Sequence, residues 1–275
     1  MKKIKIVQFG VGPIGAEIVR YALQKDGIKI VGAIDTDKSK VGKDLGGLTI
    51  GKNLGLRITD DADSVLSRTK PDLVLHSTGS YLRDVKLQLL NIIDSGADLV
   101  STCEELAYPF LKHPELSREL DTKARRRGVT VLGTGVNPGF VMDTLVVTTS
   151  GVCQEVEKIR SARIQDASVR RVPFQKKIGA GLSPAEFRAK VEEGSIRHVG
   201  FAESVAMIAS ALGWKLDKIE ERVEPKIAER TVASEYVKVE PGQVAGVDQN
   251  AWGISGGEEL IALNLQAYLG CSDPR

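Results

Sequence analysis

A short apolar run, residues 4–9 (Ile-Lys-Ile-Val-Gln-Phe), leads straight into Gly10-Val-Gly12-Pro-Ile-Gly15 and then into a stretch of helical periodicity. Few folds accept three glycines at this spacing between a strand and a helix. The run is bulky and apolar at most positions, as a strand covered on both faces of a parallel sheet must be. Gly10 permits the tight turn, Gly12 leaves out a Cβ where a pyrophosphate would approach the backbone, and Gly15 lets the helix lie close on the strand. Pro13 and Ile14 complete the turn, and its residues together are the expected phosphate-side contacts of a dinucleotide. Ile14, Ile18 and Ala22, with Val19 and Leu23, fall on one helical stripe expected to face the sheet. The helix start also offers unpaired N–H groups and a positive dipole end to an anion.

A second apolar run, residues 28–34, ends at Asp35, twenty positions after Gly15. An acidic residue there would accept hydrogen bonds from an adenosine ribose and favour NAD. Thr36 and Lys38 follow in a polar loop with Lys40 and Lys43, and a lysine paired with a 2′-phosphate would permit NADP instead. The residues leave NAD and NADP both open.

Further strands are expected over residues 56–59, 71–76, 97–100 and 129–132, with helices over 61–69, opened by an acidic cap, and 81–95, stopped by Gly96. In a doubly wound sheet ligands sit at the carboxyl ends of the strands. Ser77, Thr78 and Gly79 would therefore line the nicotinamide side, and the next strand delivers Ser101-Thr-Cys-Glu-Glu-Leu-Ala-Tyr-Pro109 to the same edge. Two glutamates compete for roles there. Thr102 with Glu105 makes a capping box, and so does Ser101 with Glu104, yet one helix needs only one. Glu105 is assigned to the cap and Glu104 to proton transfer. Beyond the 129–132 strand, Asn137-Pro138-Gly139 makes a shaped turn whose amide and open N–H groups could hold a substrate.

After this point the pattern changes. Residues 157–168 alternate as a half-exposed antiparallel strand would, Ser183-Pro-Ala-Glu opens a capped helix closed by Gly194, and residues 201–212 form a second helix. Residues 230–239 and 259–269 read as strands. The expected fold class is α/β: an N-terminal Rossmann doubly wound parallel sheet over residues 1–135, then a second α+β substrate and dimerisation domain over residues 136–275. Because the chain stops directly after a strand, further C-terminal residues are expected.

Thirty-eight basic and 36 acidic residues leave a charge of +2, without the basic excess a nucleic-acid surface needs. No apolar stretch is long enough to span a membrane, and the N-terminus enters a core strand without an apolar leader, so a cytoplasmic place is expected. Cys103, Cys153 and Cys271 lie far apart, as do His76, His113 and His198, so neither a disulfide framework nor a metal site is expected.

The glycine turn, Ser101-Thr-Cys-Glu-Glu-Leu, Gly135-Val-Asn-Pro-Gly-Phe140 and His198-Val-Gly-Phe-Ala-Glu-Ser204 together resemble the 2,4-diaminopentanoate dehydrogenase and native amine dehydrogenase family, within the wider dihydrodipicolinate-reductase-like group. The resemblance implies oxidation of an amine to a ketone and ammonia with NAD or NADP, reversible as reductive amination. It places the family's catalytic glutamate on Glu104 and puts Tyr108, Pro109, Asn137, Pro138, Gly139 and Phe140 around the amine. It implies a homodimer formed through the second domain's sheet. Two other readings stay open on the residues alone: a dihydrodipicolinate reductase, and a nucleotide-sensing protein that keeps the fold without turnover.

Overall fold

The computed structural model describes residues 3–271; Met1, Lys2 and the segment 272–275, where the expectation of a continuing chain falls, lie outside the described residues. Two compact units divide after Gly139.

The first unit runs β1 (Ile4–Phe9), α1 (Pro13–Ala22), β2 (Ile28–Ile34), α2 (Leu45–Thr49), β3 (Ile58–Thr59), α3 (Ala62–Thr69), β4 (Leu73–His76), α4 (Leu82–Asp94), β5 (Asp98–Ser101), a 3₁₀ turn (Glu104–Ala107), α5 (Pro114–Arg127) and β6 (Val131–Gly133). Its six strands are parallel in the order β3-β2-β1-β4-β5-β6. This is the doubly wound order whose direction reverses between β1 and β4. Alternation along β1 covers both faces. Val7 and Phe9 pack with Val65 and Leu66 of α3 and with Leu82, Leu89 and Ile93 of α4, while Ile6 packs with Val19 and Ala22 of α1 and Leu45 of α2.

Several local signals act as the sequence predicts. Asp61 caps α3 by accepting the Ser64 N–H at 3.0 Å, and Gly96 closes α4 with φ of +80°. The α1 stripe is corrected. Gly15, Val19 and Ala22 are its buried residues, whereas Ile14 is 54% exposed and Leu23 is exposed as well. Gly15 needs the closest contact with the strand turn, and this rotates Ile14 outward.

The second unit contains α6 (Thr144–Ser150), β7 (Ile159–Asp166), α7 (Val172–Lys177), α8 (Pro184–Glu192), α9 (Phe201–Ala211), β8 (Lys218–Ile227), β9 (Val232–Ala233), β10 (Lys238–Val239), β11 (Val244–Ser255) and β12 (Glu258–Tyr268). Four strands form a sheet in the order β7-β12-β11-β8, and β9 and β10 pair separately. The alternating residues Val247, Ala251, Leu263 and Leu265 turn one sheet face into two cores with Phe187, Phe201 and Val205 of the helices. The capping box of α8 is present, with Ser183 and Glu186 exchanging both bonds.

Two expectations are corrected here. β7 runs parallel to β12, because three helices and four strands separate them and a long crossover can return the chain in the same direction. Residues 230–239 hold only two two-residue strands, while the long β8 and central β11 arise where no strand was expected.

Candidate active site

Adjacent strands put the loops of interest on one level. Phe9 of β1 pairs with His76 of β4, His76 with Ser101 of β5, and Ser101 with Gly133 of β6, so the last residues of four neighbouring strands form a row across the sheet. The ladder continues one residue further. Ser77 N–H donates to Phe9 O at 2.8 Å, Thr102 N–H to His76 O at 3.0 Å, and Thr134 N–H to Ser101 O at 2.9 Å. The loops beginning at Gly10, Ser77, Thr102 and Thr134 thus leave the sheet side by side at its carboxyl edge, next to the β1/β4 reversal.

The glycine turn is built for close approach. Gly10 has φ +90°, and a Cβ there would lie 2.5 Å from Ser77 O; one on Gly15 would lie 1.9 Å from Gly10 O. A Cβ on Gly12 would meet no protein atom within 4 Å, so the space beside it is open at the start of α1. Gly12 supplies α1 with no side-chain cap, which leaves its first N–H groups facing that space. Gln8 secures the turn from below by donating to Gly10 O at 2.8 Å and to Ser77 Oγ at 2.9 Å, and Ser77 Oγ itself donates to Gly10 O.

Asp35 follows β2. Its Oδ2 accepts the Val11 N–H at 2.7 Å and its Oδ1 the Asp37 N–H at 2.9 Å, tying the acidic position to the glycine turn. Lys40 lies 3.2 Å from the carboxylates of both Asp35 and Asp37. Burial works against its charge, but the two acids outweigh that and hold the ammonium above the ordinary lysine range. Thr36 is exposed, and Lys38 is paired with Asp60 at 2.5 Å on the exposed surface. An open Gly12, uncapped N–H groups on α1 and an acidic residue beside them fit a dinucleotide, with pyrophosphate at the helix start and ribose near Asp35.

Around Glu104 the backbone is held on both sides. Cys103 N–H donates to Ser101 Oγ at 3.1 Å, Cys103 Sγ contacts Ser80 O at 3.3 Å, and Glu105 N–H donates to Ser80 O at 3.2 Å. The Glu104 carboxylate is half-buried and, among the described residues, enters no hydrogen bond or ion pair. Glu105 is buried, and the capping-box expectation is corrected. The segment Glu104–Ala107 is one 3₁₀ turn without a side-chain cap. Glu105 Oε2 instead accepts the N–H of Leu82, the first residue of α4, at 2.8 Å and lies 2.8 Å from His113 Nε2. The α4 N-cap residue, Tyr81, makes no side-chain cap bond, so Glu105 caps a helix other than the one it precedes. Burial, aided by the nearby Glu104 and Glu105 charges, pushes the Cys103 thiol up to about 12, which disfavours the thiolate.

The other expected site residues distribute as follows. Ser77 closes the glycine turn, Gly79 follows in the same loop, and the Thr78 hydroxyl turns to His76 Nε2 at 2.8 Å and Gln88 Oε1 at 2.6 Å. Tyr108 stacks edge-on against Phe110, with ring centroids 5.3 Å apart. Pro109 borders a cavity of about 450 Å³ between the turn, α5 and β6 that Glu104 does not reach. Asn137, Pro138 and Gly139 are buried, whereas Phe140, next in the chain, is exposed. Gly139 has φ +116°, and a Cβ on it would lie 2.4 Å from Gly135 N, which accounts for the glycine in this turn. His76 was missed: no spacing in the sequence sets it apart from the other histidines, yet it is fully buried at the centre of a polar network.

The sequence profile described as "2,4-diaminopentanoate dehydrogenase C-terminal domain" matches residues 140–267, and "Dihydrodipicolinate reductase, N-terminus" matches residues 4–89. The chain is 35% identical over 272 residues to 2,4-diaminopentanoate dehydrogenase of Acetoanaerobium sticklandii, covering 96% of this chain and 76% of that one. An amine dehydrogenase of Streptomyces virginiae is 26% identical over 268 residues, covering 94% and 74%. The structure of an amine dehydrogenase from Mycobacterium smegmatis superposes with a TM-score of 0.82 at 27% identity, over 98% of this chain and 80% of that one. With the doubly wound unit, the open glycine turn and the pinned Glu104 segment, these likenesses identify the chain as an oxidoreductase of the 2,4-diaminopentanoate dehydrogenase family.

Proposed function

We propose that this nicotinamide-dependent amine dehydrogenase oxidises a short amine or diamine of the 2,4-diaminopentanoate kind to a ketone and ammonia, with Glu104 as the proton-transfer group. The observation that supports this most directly is the half-buried Glu104 carboxylate, held on a pinned turn at the carboxyl edge of the sheet and engaged in no hydrogen bond or ion pair among the described residues. A carboxylate with open lone pairs in a partly dry place is fitted to accept a proton.

A bound nicotinamide cofactor would supply the hydride acceptor for the carbon that bears the amine. The resulting iminium carbon is attacked by water, whose proton passes to Glu104, and departure of ammonia leaves the ketone. Overall, amine, oxidised cofactor and water give ketone, ammonia, reduced cofactor and a proton. Gly10, Gly12, Pro13, Ile14 and Gly15 would hold the pyrophosphate, Ser77, Thr78 and Gly79 would border the nicotinamide, and Asp35 and Thr36 would take the ribose. Tyr108, Pro109, Asn137, Pro138, Gly139 and Phe140 are the proposed amine contacts.

NAD is the preferred cofactor in this reading. Asp35 presents an acceptor to a free 2′-hydroxyl, and Lys40 could serve a 2′-phosphate only by giving up both acids. Residues 136–275 serve as the substrate and dimerisation domain. Trp252, Asn250, Ala262 and Asn264, paired across β11 and β12 on the face opposite the helices, are proposed to meet a second copy, which light scattering tests. No helix among the described residues is long and apolar enough to cross a membrane. A cytoplasmic place is proposed, in keeping with the free thiols of Cys103 and Cys153.

The deciding experiment follows reduced-nicotinamide absorbance with NAD and then NADP, using 2,4-diaminopentanoate and a panel of short amines at alkaline pH. Turnover with NAD favoured is the expected result, and Glu104→Gln should lower kcat by roughly 10²–10⁴-fold while NAD still binds. Undiminished turnover in Glu104→Gln would remove the proposed role, and silence across the panel with NAD bound would remove the substrate class.

A further inference from the structure

His76, at the end of β4, is fully buried between three elements. From β1 the Phe9 ring meets it edge-on, with centroids 5.6 Å apart. Its Nδ1 lies 2.8 Å from Ser101 Oγ on β5, and its Nε2 lies 2.8 Å from both Gln88 Oε1 on α4 and Thr78 Oγ1. Thr78 Oγ1 donates to Gln88 Oε1 at 2.6 Å, and Cys103 N–H donates to Ser101 Oγ at 3.1 Å.

One proton arrangement satisfies these contacts. Gln88 Oε1 can only accept, so it takes the Thr78 hydroxyl, and the His76 Nε2–H is shared between Gln88 Oε1 and Thr78 Oγ1. His76 Nδ1 is then a lone pair and accepts the Ser101 O–H, which leaves the Ser101 oxygen to accept the Cys103 N–H. The chain of bonds ends on the peptide unit one residue before Glu104, and burial without a charged neighbour holds His76 below the ordinary histidine range, in the neutral form this arrangement requires.

We infer that His76 is a positioning residue for catalysis, which fixes the hydroxyl of Ser101 and through it the Cys103–Glu104 backbone, so that the Glu104 carboxylate meets the substrate at a constant place. The inference rests on the assignment of proton transfer to Glu104. No side chain between His76 and Glu104 other than Ser101 is needed to transmit the constraint. A displacement of a reacting group by a fraction of an ångström costs rate rather than cofactor affinity.

The test is a double-substitution cycle with rescue. His76→Leu removes the acceptor for Ser101, Ser101→Ala removes the link, and His76→Asn returns an acceptor close to the position of Nδ1. His76→Leu and Ser101→Ala should each lower kcat for amine oxidation roughly tenfold to hundredfold with KM for NAD within about twofold. The pair together should be no worse than the more damaging single change, because both cut one chain, and His76→Asn should recover most of the rate. Losses that multiply in the double variant, a loss confined to KM for NAD, or the absence of rescue by His76→Asn would overturn the inference. Should His76→Leu fail to fold, Ser101→Ala, which deletes one oxygen, carries the test: unchanged kcat there overturns it. Glu104→Gln measured in parallel separates the two ideas. If Glu104→Gln retains full rate, the catalytic assignment itself fails; if Glu104→Gln is inactive while Ser101→Ala and His76→Leu are fully active, only the positioning role fails.

Discussion

Cys103 and Glu104 are neighbours in the chain with opposite fates, and their surroundings account for it. The thiol is enclosed, and desolvation carries its pKa to about 12, whereas the next carboxylate, among the described residues, enters no hydrogen bond or ion pair. Alkylation with iodoacetamide at pH 8, read by peptide mass, should therefore label the exposed Cys153 and leave Cys103 untouched until the protein is unfolded. His76 makes a second residue-level prediction. Desolvation lowers its pKa in the folded state below the 6.5 of an open chain, so between those two values the unfolded chain binds more protons. Stability is complete above about pH 6.5 and declines as pH falls toward the folded-state value. Melting temperatures measured from pH 8 down to pH 5 should fall further for the wild type than for His76→Asn, which has no imidazole to charge; parallel curves would contradict this.

Elements were legible where local chemistry decides them. The strand, glycine turn and helix of residues 4–22 can be read directly because Gly10 and Gly15 each have a steric reason, and α8 because Ser183 and Glu186 satisfy each other's backbone. Ser183→Ala should cost about 1 kcal/mol in chemical unfolding while leaving amine turnover unchanged. Where long-range pairing decides, the sequence misleads. The central strand β11 contains Gly246, Asp248, Asn250 and Gly253, residues of poor strand propensity, and is a strand because it pairs with neighbours on both sides. Glu105 shows the same limit within the site: its spacing from Thr102 suggests a cap on its own helix, but the N–H it satisfies belongs to Leu82, 23 residues earlier. Glu104 is proposed from its strand-end position, whereas the network that holds its turn joins three strands and a helix and leaves no local signature. The 3₁₀ turn also depends on β6. A Cβ on Gly133 would lie 2.1 Å from Leu106 O, so Gly133→Ala must push the turn away from the sheet. Its kcat should drop at least roughly tenfold, and normal kcat would show that the turn can move without consequence.

At the scale of the molecule, ligand binding and folding stability are linked through the first unit. NAD at about a hundred times its Kd should stabilise the native state by about 2.7 kcal/mol if it does not bind the unfolded chain. Hydrogen exchange should then slow at the amides of residues 10–16, 35–37 and 77–80, while the amides of β11 and β12 keep their rates; uniform slowing across both units would count against a site confined to the loops named above. The row Phe9, His76, Ser101 and Gly133 carries a further consequence. Since each loop starts from a strand end already fixed by its neighbours, a loop can gain or lose residues at its tip without shifting the starting point of the next. The loop after β1 can thus keep its shape while those after β5 and β6 are rebuilt, so one edge of the sheet can be altered piece by piece without disturbing its neighbours.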